Sequence, residues 1–169
     1  MKTKLLVLAA AALIAWELKR HYADARVDDL WWILSPTTRL VSMTTGATFA
    51  MQSGEGYFSR ERLFLIEKSC AGINFMIAAF VMVAVALVHR ARSGMRAAAV
   101  VAASLLVSYL AAVLVNAVRI AIAMWLAAHH FAIATFSGAD VHRLEGITVY
   151  FTGLVVLYEI VLRLDGREV

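Results

Sequence analysis

The chain has a single cysteine and a single proline in 169 residues, and only 17% of its residues are charged. One cysteine excludes an intrachain disulfide and any cysteine-rich metal site. Acidic residues number 12 against 16 Lys plus Arg, leaving a formal charge of +4. No basic cluster is interleaved with aromatic residues, so this charge reads as membrane topology and excludes a nucleic-acid partner. A cleavage site for a secretory leader is also missing. Met1-Lys2-Thr3-Lys4 and the apolar Leu5–Trp16 resemble a signal peptide, but Glu17-Leu18-Lys19-Arg20 follows where small residues are needed. The start therefore reads as an uncleaved signal anchor extending to about His21, with Lys19 and Arg20 reaching back to the interface.

What is abundant is apolar side chain: 62% of the sequence, against about 45–50% in a soluble domain. The excess lies in long runs, which marks an integral membrane protein. Four segments are candidates to cross: Leu5–Leu18, Ala71–Val88, Ala97–Val115 and Ile147–Leu164. The expected fold is an all-α polytopic membrane protein forming one domain over 1–169. Its parts are a signal-anchor helix (1–21), an outer loop (22–69) and a helical catalytic core (70–164). Lys2 and Lys4, the Arg90/Arg92/Arg96 cluster and Arg163 with Arg167 all fall on one side of this arrangement, which the positive-inside rule makes cytoplasmic. Nine of the 16 basic residues fall outside, but spread among acids along the outer loop, so the tight arginine cluster is the stronger signal.

Within the outer loop, Pro36 suits the first turn of a helix over 37–44 with Ser35 as N-cap, and Gly46 would stop that helix. Ala47–Gln52 and Tyr57–Ile66 flank Ser53-Gly54-Glu55-Gly56, a pattern that predicts a β-hairpin leading to Cys70. Beyond Val115, a single helix from Ala97 to Ala128 would be about 48 Å long. The expectation is a helix that crosses and then continues or bends along the outer surface.

Three polar positions approach the same membrane side under this topology: Cys70, Asn116 with Arg119, and His142. A thiol at a helix start sits where free N–H groups stabilise a thiolate, and Ser69, Ala71 and Gly72 leave room around it. An arginine inside an apolar run is costly to bury and is a functional candidate by default. Asn116, three residues earlier, shares its face, and the pair can donate hydrogen bonds to a developing oxyanion. His142 opens the fourth segment and supplies a near-neutral proton carrier, with Asp140 or Glu145 as candidates to orient its ring. His129 and His130 are adjacent and point about 100° apart on a helix, a poor metal pair. Each of these residues has an ordinary reading too: an inert helical cysteine, a snorkelling arginine, an interfacial histidine.

Leu34-Ser35-Pro36, Gly46, Phe49, Gly56-Tyr57, Ser69-Cys70-Ala71-Gly72, Asn116-Ala117-Val118-Arg119-Ile120 and His142 with Gly146 together resemble the exosortase/archaeosortase family. The small size is most similar to the exosortase K group, and the likeness runs from about Leu30 to Tyr158. The resemblance implies a membrane-embedded cysteine peptidase or transpeptidase, with Cys70, Arg119 and His142 as the catalytic residues. It implies no metal and no organic cofactor. The implied substrates are exported, membrane-tethered proteins with a C-terminal sorting signal, and the implied location is the cell inner membrane with the active site facing the periplasm. Asn116 and Ser69 fall beside the reacting groups as oxyanion or substrate support. The chain departs from larger members in lacking extra N-terminal helices and in carrying Ala71 where many have serine. The competing expectation is a non-enzymatic assembly factor or transporter subunit that recognises transmembrane tails.

Overall fold

The computed structural model describes residues 1–129 and 138–166, without the side chains of 138–142. The chain is mostly helical and separates into two compact units. One comprises Met1–Asp24, Ile73–Ala112 and Gly153–Val169; the other comprises Ala25–Gly72 and Val113–Thr152. Among the described residues, three helical stretches are long and apolar enough to cross a membrane: Lys68–Arg90, Gly94–Ala128 and Arg143–Leu164.

In the first unit, α1 (Lys2–Asp24) is built from Ala and Leu, the strongest helix formers. It packs antiparallel against α3 (Ile73–Leu87). Two polar contacts fix the pairing at opposite ends. The Thr3 hydroxyl donates to the Ala91 carbonyl at 2.6 Å, just past α3, and the Lys19 ammonium donates to Asn74 Oδ1 at 2.8 Å, at its start. Between them Ala11 packs with Phe80 and Ala84, and nearer the Ala91 end Val7 packs with Ala91, Ala97 and Val100. Alanines at these positions allow close helix approach, the usual solution where lipid removes the hydrophobic drive to associate.

In the second unit, α2 (Trp31–Thr45) corrects the expectation of a helix beginning after Pro36. A 3₁₀ turn over Val27–Leu30 feeds directly into it, with Trp31 N–H donating to the Asp28 carbonyl, so the helix needs no Ser35 cap. Pro36 lies in the helix interior, where its fixed φ is compatible with the helix and the loss is one hydrogen bond to the carbonyl four residues back. Ile33, Thr37 and Val41 repeat every fourth residue on the buried face. Gly46 ends the helix as expected, in the left-handed conformation at φ 69°.

The loop continues into a three-stranded antiparallel sheet in order β1-β2-β3: β1 (Ala50–Gln52), β2 (Gly56–Ser59) and β3 (Phe64–Ile66). Met51 pairs with Tyr57, and Phe58 with Leu65. The expected hairpin is the first half of this meander. The expected second strand, 57–66, instead folds back through the polar Arg60–Arg62 turn. Glu61 from that turn accepts hydrogen bonds from the Thr48 N–H and hydroxyl, and Asp28 accepts from Gly54 N–H at the first hairpin's tip.

Two helices extend beyond their candidate segments, the first of them past Val115 as expected. The third candidate segment is one continuous helix, α4 (Gly94–Ala128), of 35 residues, about 52 Å at 1.5 Å per residue. The fourth, α5 (Gly138–Leu164), begins well before Ile147. On α4, Leu106, Leu110, Leu114, Val118 and Ile122 form an exposed apolar stripe, and Leu144, Ile147, Phe151 and Val155 do the same on α5. Apolar stripes of this length suit lipid contact.

Candidate functional site

Cys70 is not the first residue of a membrane helix. It sits in a 3₁₀ turn, Lys68–Ala71, that precedes α3. Gly72 adopts φ 69°, a left-handed conformation no helix can contain, so α3 starts at Ile73 and not at Ala71. The turn is held by its own backbone, with Cys70 N–H donating to the Glu67 carbonyl at 2.9 Å, and by Lys68 Nζ donating to the Ala25 carbonyl at 2.7 Å. Cys70 is 6% exposed. Its neighbour Ser69 is exposed, donates to Glu67 Oε1 at 2.7 Å and lies 3.8 Å from the thiol sulfur.

A hydrogen-bonded chain links this turn to α4 and α5. Asn116 on α4 is fully buried, and its Nδ2 donates to the Cys70 carbonyl. The Tyr150 hydroxyl on α5 donates to Asn116 Oδ1 at 2.8 Å, and Arg119 Nη1 donates to the Tyr150 hydroxyl at 2.8 Å. Both ends of the Asn116 amide are thereby engaged. The Arg119 guanidinium also lies over the Tyr150 ring, with 5.3 Å from Cζ to the centroid, a cation–π geometry. Its Nε is 4.0 Å from Glu145 Oε2, and both side chains are nearly inaccessible to solvent. The Cys70 thiol lies within electrostatic range of both Arg119 and Tyr150.

Two glycines border these contacts, and only one of them is required by a close approach. A Cβ on Gly72 would stand 3.0 Å from Asn116 Cγ, tight enough that the Asn116 side chain would have to give by a few tenths of an ångström. On α5, a Cβ on Gly146 would stand 3.6 Å from Arg119 Nε, an ordinary contact.

The structure therefore brings Cys70, Asn116 and Arg119 into one cluster, with Ser69 at its edge. His142 falls on α5, but its side chain lies outside the described residues, as does that of Asp140. The Asn116 carboxamide holds the main-chain carbonyl of the cysteine. Tyr150 is the member sequence reasoning missed. A signal existed, since a tyrosine buried in an apolar helix usually finds a hydrogen-bond partner, and Tyr150 stands one turn beyond Gly146.

No family model, curated protein or solved structure matches this chain at significant similarity.

Proposed function

We propose that the protein is a membrane-embedded cysteine peptidase or transpeptidase of exosortase-like type, acting on the C-terminal tails of exported proteins. The observation that carries this reading is the chain from the Cys70 main chain through Asn116 and Tyr150 to Arg119. It gathers the turn that carries the lone thiol, an amide and a buried guanidinium of α4, and a phenol of α5 from three separate segments, at a cost in buried polar groups that packing alone does not require.

In this mechanism the Cys70 sulfur attacks a substrate carbonyl, and the C–N bond breaks to leave a thioester on Cys70 and a free amine. Arg119 stabilises the oxyanion of the tetrahedral intermediate. His142 gives the departing amine its proton and then takes one from the acceptor. That acceptor is an envelope amine or alcohol in a transfer reaction, or water in hydrolysis. Asn116 and Tyr150 hold the cysteine turn and the guanidinium in register.

The proposed topology has four crossings. α1 joins the three strongly apolar stretches because its contacts with Ala91 and Asn74 bracket the whole of α3. Its 23 residues span about 35 Å, enough for a ~30 Å hydrocarbon core. With the Arg90/Arg92/Arg96 side cytoplasmic, Cys70 precedes α3 at its outward end.

The burial of Cys70 and the full engagement of Asn116 favour one second reading, in which the cluster is a structural clasp in a non-enzymatic protein that recognises transmembrane tails. Replacing Cys70 with alanine separates the two. Co-expression with an exported protein bearing an apolar, arginine-ended C-terminal tail should give processed product with the native chain. Cys70→Ala should give none while still inserting and still binding the tail, and a thioester-linked adduct should be trapped only on the native chain. Undiminished processing by Cys70→Ala would rule out acyl transfer through this thiol.

A further inference from the structure

A second polar concentration lies within the first unit, where α3 ends, α4 begins and α5 ends. Asp165, just past α5, has its carboxylate 1% exposed and is paired with His89 Nε2 at 3.1 Å and with Arg90 Nε. His89 Nδ1 in turn meets the Ala86 carbonyl at 3.1 Å. This knot fixes the α3–α4 turn against the end of α5. The Thr3 hydroxyl on the Ala91 carbonyl ties the start of α1 to the same turn.

Beside the knot opens a cavity of about 520 Å³. One part of its wall is cationic, formed by Arg90, Arg92 and Arg96 against the single carboxylate of Asp165. Asp165 already occupies Arg90. Among the described residues, neither the Arg92 nor the Arg96 guanidinium has an acidic partner. Arg96 stands in the first turn of α4, at the positive end of the helix dipole. Apart from His89, the rest of the wall is apolar: Leu87 on α3, with Ala99, Val100 and Ala103 on α4.

We propose that this cavity binds the phosphate group of an anionic ligand, with Arg92 and Arg96 as its principal contacts. Guanidinium forks match phosphate oxygens in a bidentate way that lysine does not. The location argues for a phospholipid headgroup. The cavity lies at the ends of two membrane-crossing candidates, Lys68–Arg90 and Gly94–Ala128, which is headgroup depth. Its apolar wall continues along α4, where the upper part of an acyl chain would lie. Basic pockets between helices on the cytoplasmic side are suited to anionic lipid in this way.

The test uses the full chain in nanodiscs of phosphatidylcholine containing a minor fraction of phosphatidylglycerol, with retained lipid read by native mass spectrometry. The native protein should keep phosphatidylglycerol over phosphatidylcholine by a factor on the order of tenfold. R92Q/R96Q should reduce that preference to near unity. R92K/R96K, which keeps the charge, should retain part of it, and Arg39→Gln, in the other unit, should leave it unchanged. A parallel arm titrates inorganic phosphate into the detergent-solubilised protein and follows thermal unfolding. Stabilisation that disappears in R92Q/R96Q, without lipid preference, would identify free phosphate as the occupant. No preference by the native chain and no response to phosphate would overturn the site. So would equal phosphatidylglycerol retention by the native chain and R92Q/R96Q.

Discussion

The Tyr150 hydroxyl is the hinge of the polar cluster, accepting from Arg119 Nη1 and donating to Asn116 Oδ1, both at 2.8 Å. The directions are forced. A guanidinium can only donate, so the phenol oxygen accepts from it and directs its own proton to the Asn116 carbonyl oxygen. That in turn orients the Asn116 amide nitrogen towards the Cys70 carbonyl. One hydroxyl thus sets the orientation of the amide and one contact of the cation.

Tyr150→Phe keeps the ring under the guanidinium and deletes the hinge. Two part-buried hydrogen bonds are lost together, and the oxygen of the buried Asn116 is left unsatisfied. The expected cost is about 1–3 kcal/mol, read as a fall in thermal unfolding temperature of the detergent-solubilised protein. If the proposed acyl transfer holds, processing should slow while tail binding is retained. Unchanged stability and processing would show that the Tyr150 hydroxyl contributes nothing to the cluster.

Asn116→Asp is expected to be more damaging than Asn116→Ala. The carboxylate puts an acceptor against the Cys70 carbonyl, where the amide supplied a donor, and buries a charge in a fully enclosed position. Asn116→Ala leaves the Cys70 carbonyl and the Tyr150 proton without their partner, a loss of about 1–3 kcal/mol. The order native, Ala, Asp in unfolding temperature is the measurement. An aspartate variant as stable as the native chain would contradict these hydrogen-bond directions.

The two glycines of the cluster should respond oppositely. Gly72→Ala places a Cβ 3.0 Å from Asn116 Cγ at a left-handed φ of 69°. The backbone penalty alone is about 1–2 kcal/mol, and the Asn116 side chain, which holds the Cys70 carbonyl, must give by a few tenths of an ångström. Gly146→Ala meets Arg119 at 3.6 Å, an ordinary contact. In a helix interior alanine is favoured over glycine by about 0.8–1 kcal/mol, so this variant should be neutral to stabilising. Alkylation of Cys70 by a small maleimide, slow in the native chain because the thiol is 6% exposed, should quicken in Gly72→Ala and stay slow in Gly146→Ala.

Much of this arrangement is legible in the sequence, and the illegible parts share a cause. Cys70, Asn116 and Arg119 stand out because polar groups in apolar runs are conspicuous, and Gly46 and the Gly54-Glu55-Gly56 turn act through local backbone conformation. Pro36 misleads because the preceding 3₁₀ turn, a structure without a sharp sequence signal, starts the helix before the proline can mark its first turn. Gly72 misleads in the same way. Its place in an apolar run reads as helix interior, and only the approach of Asn116 shows why the chain turns left-handed there. Tyr150 is hidden because its role depends on a residue 31 positions away in sequence, and no local pattern encodes that distance.

The proposed crossing by α1 makes the last prediction. Glu17, Lys19 and Arg20 give this helix more charge than its partners, yet Arg20 is occupied by Glu17 at 2.7 Å and Lys19 by Asn74. Pairing of this kind lowers the cost of holding the charged end at the membrane boundary. In a Cys70→Ala background, Lys2→Cys and His21→Cys should be labelled by a membrane-impermeant maleimide from opposite sides of the bilayer, because α1 is antiparallel to α3 along its length. Labelling of both from one side would mean that α1 lies along a single surface. In that case α3 would also have to leave its transmembrane path or part from α1, since Thr3 and Lys19 bind its two ends. Lys19→Ala should loosen only the outer end, raising labelling at a cysteine placed at His21 without changing the side from which Lys2→Cys is reached.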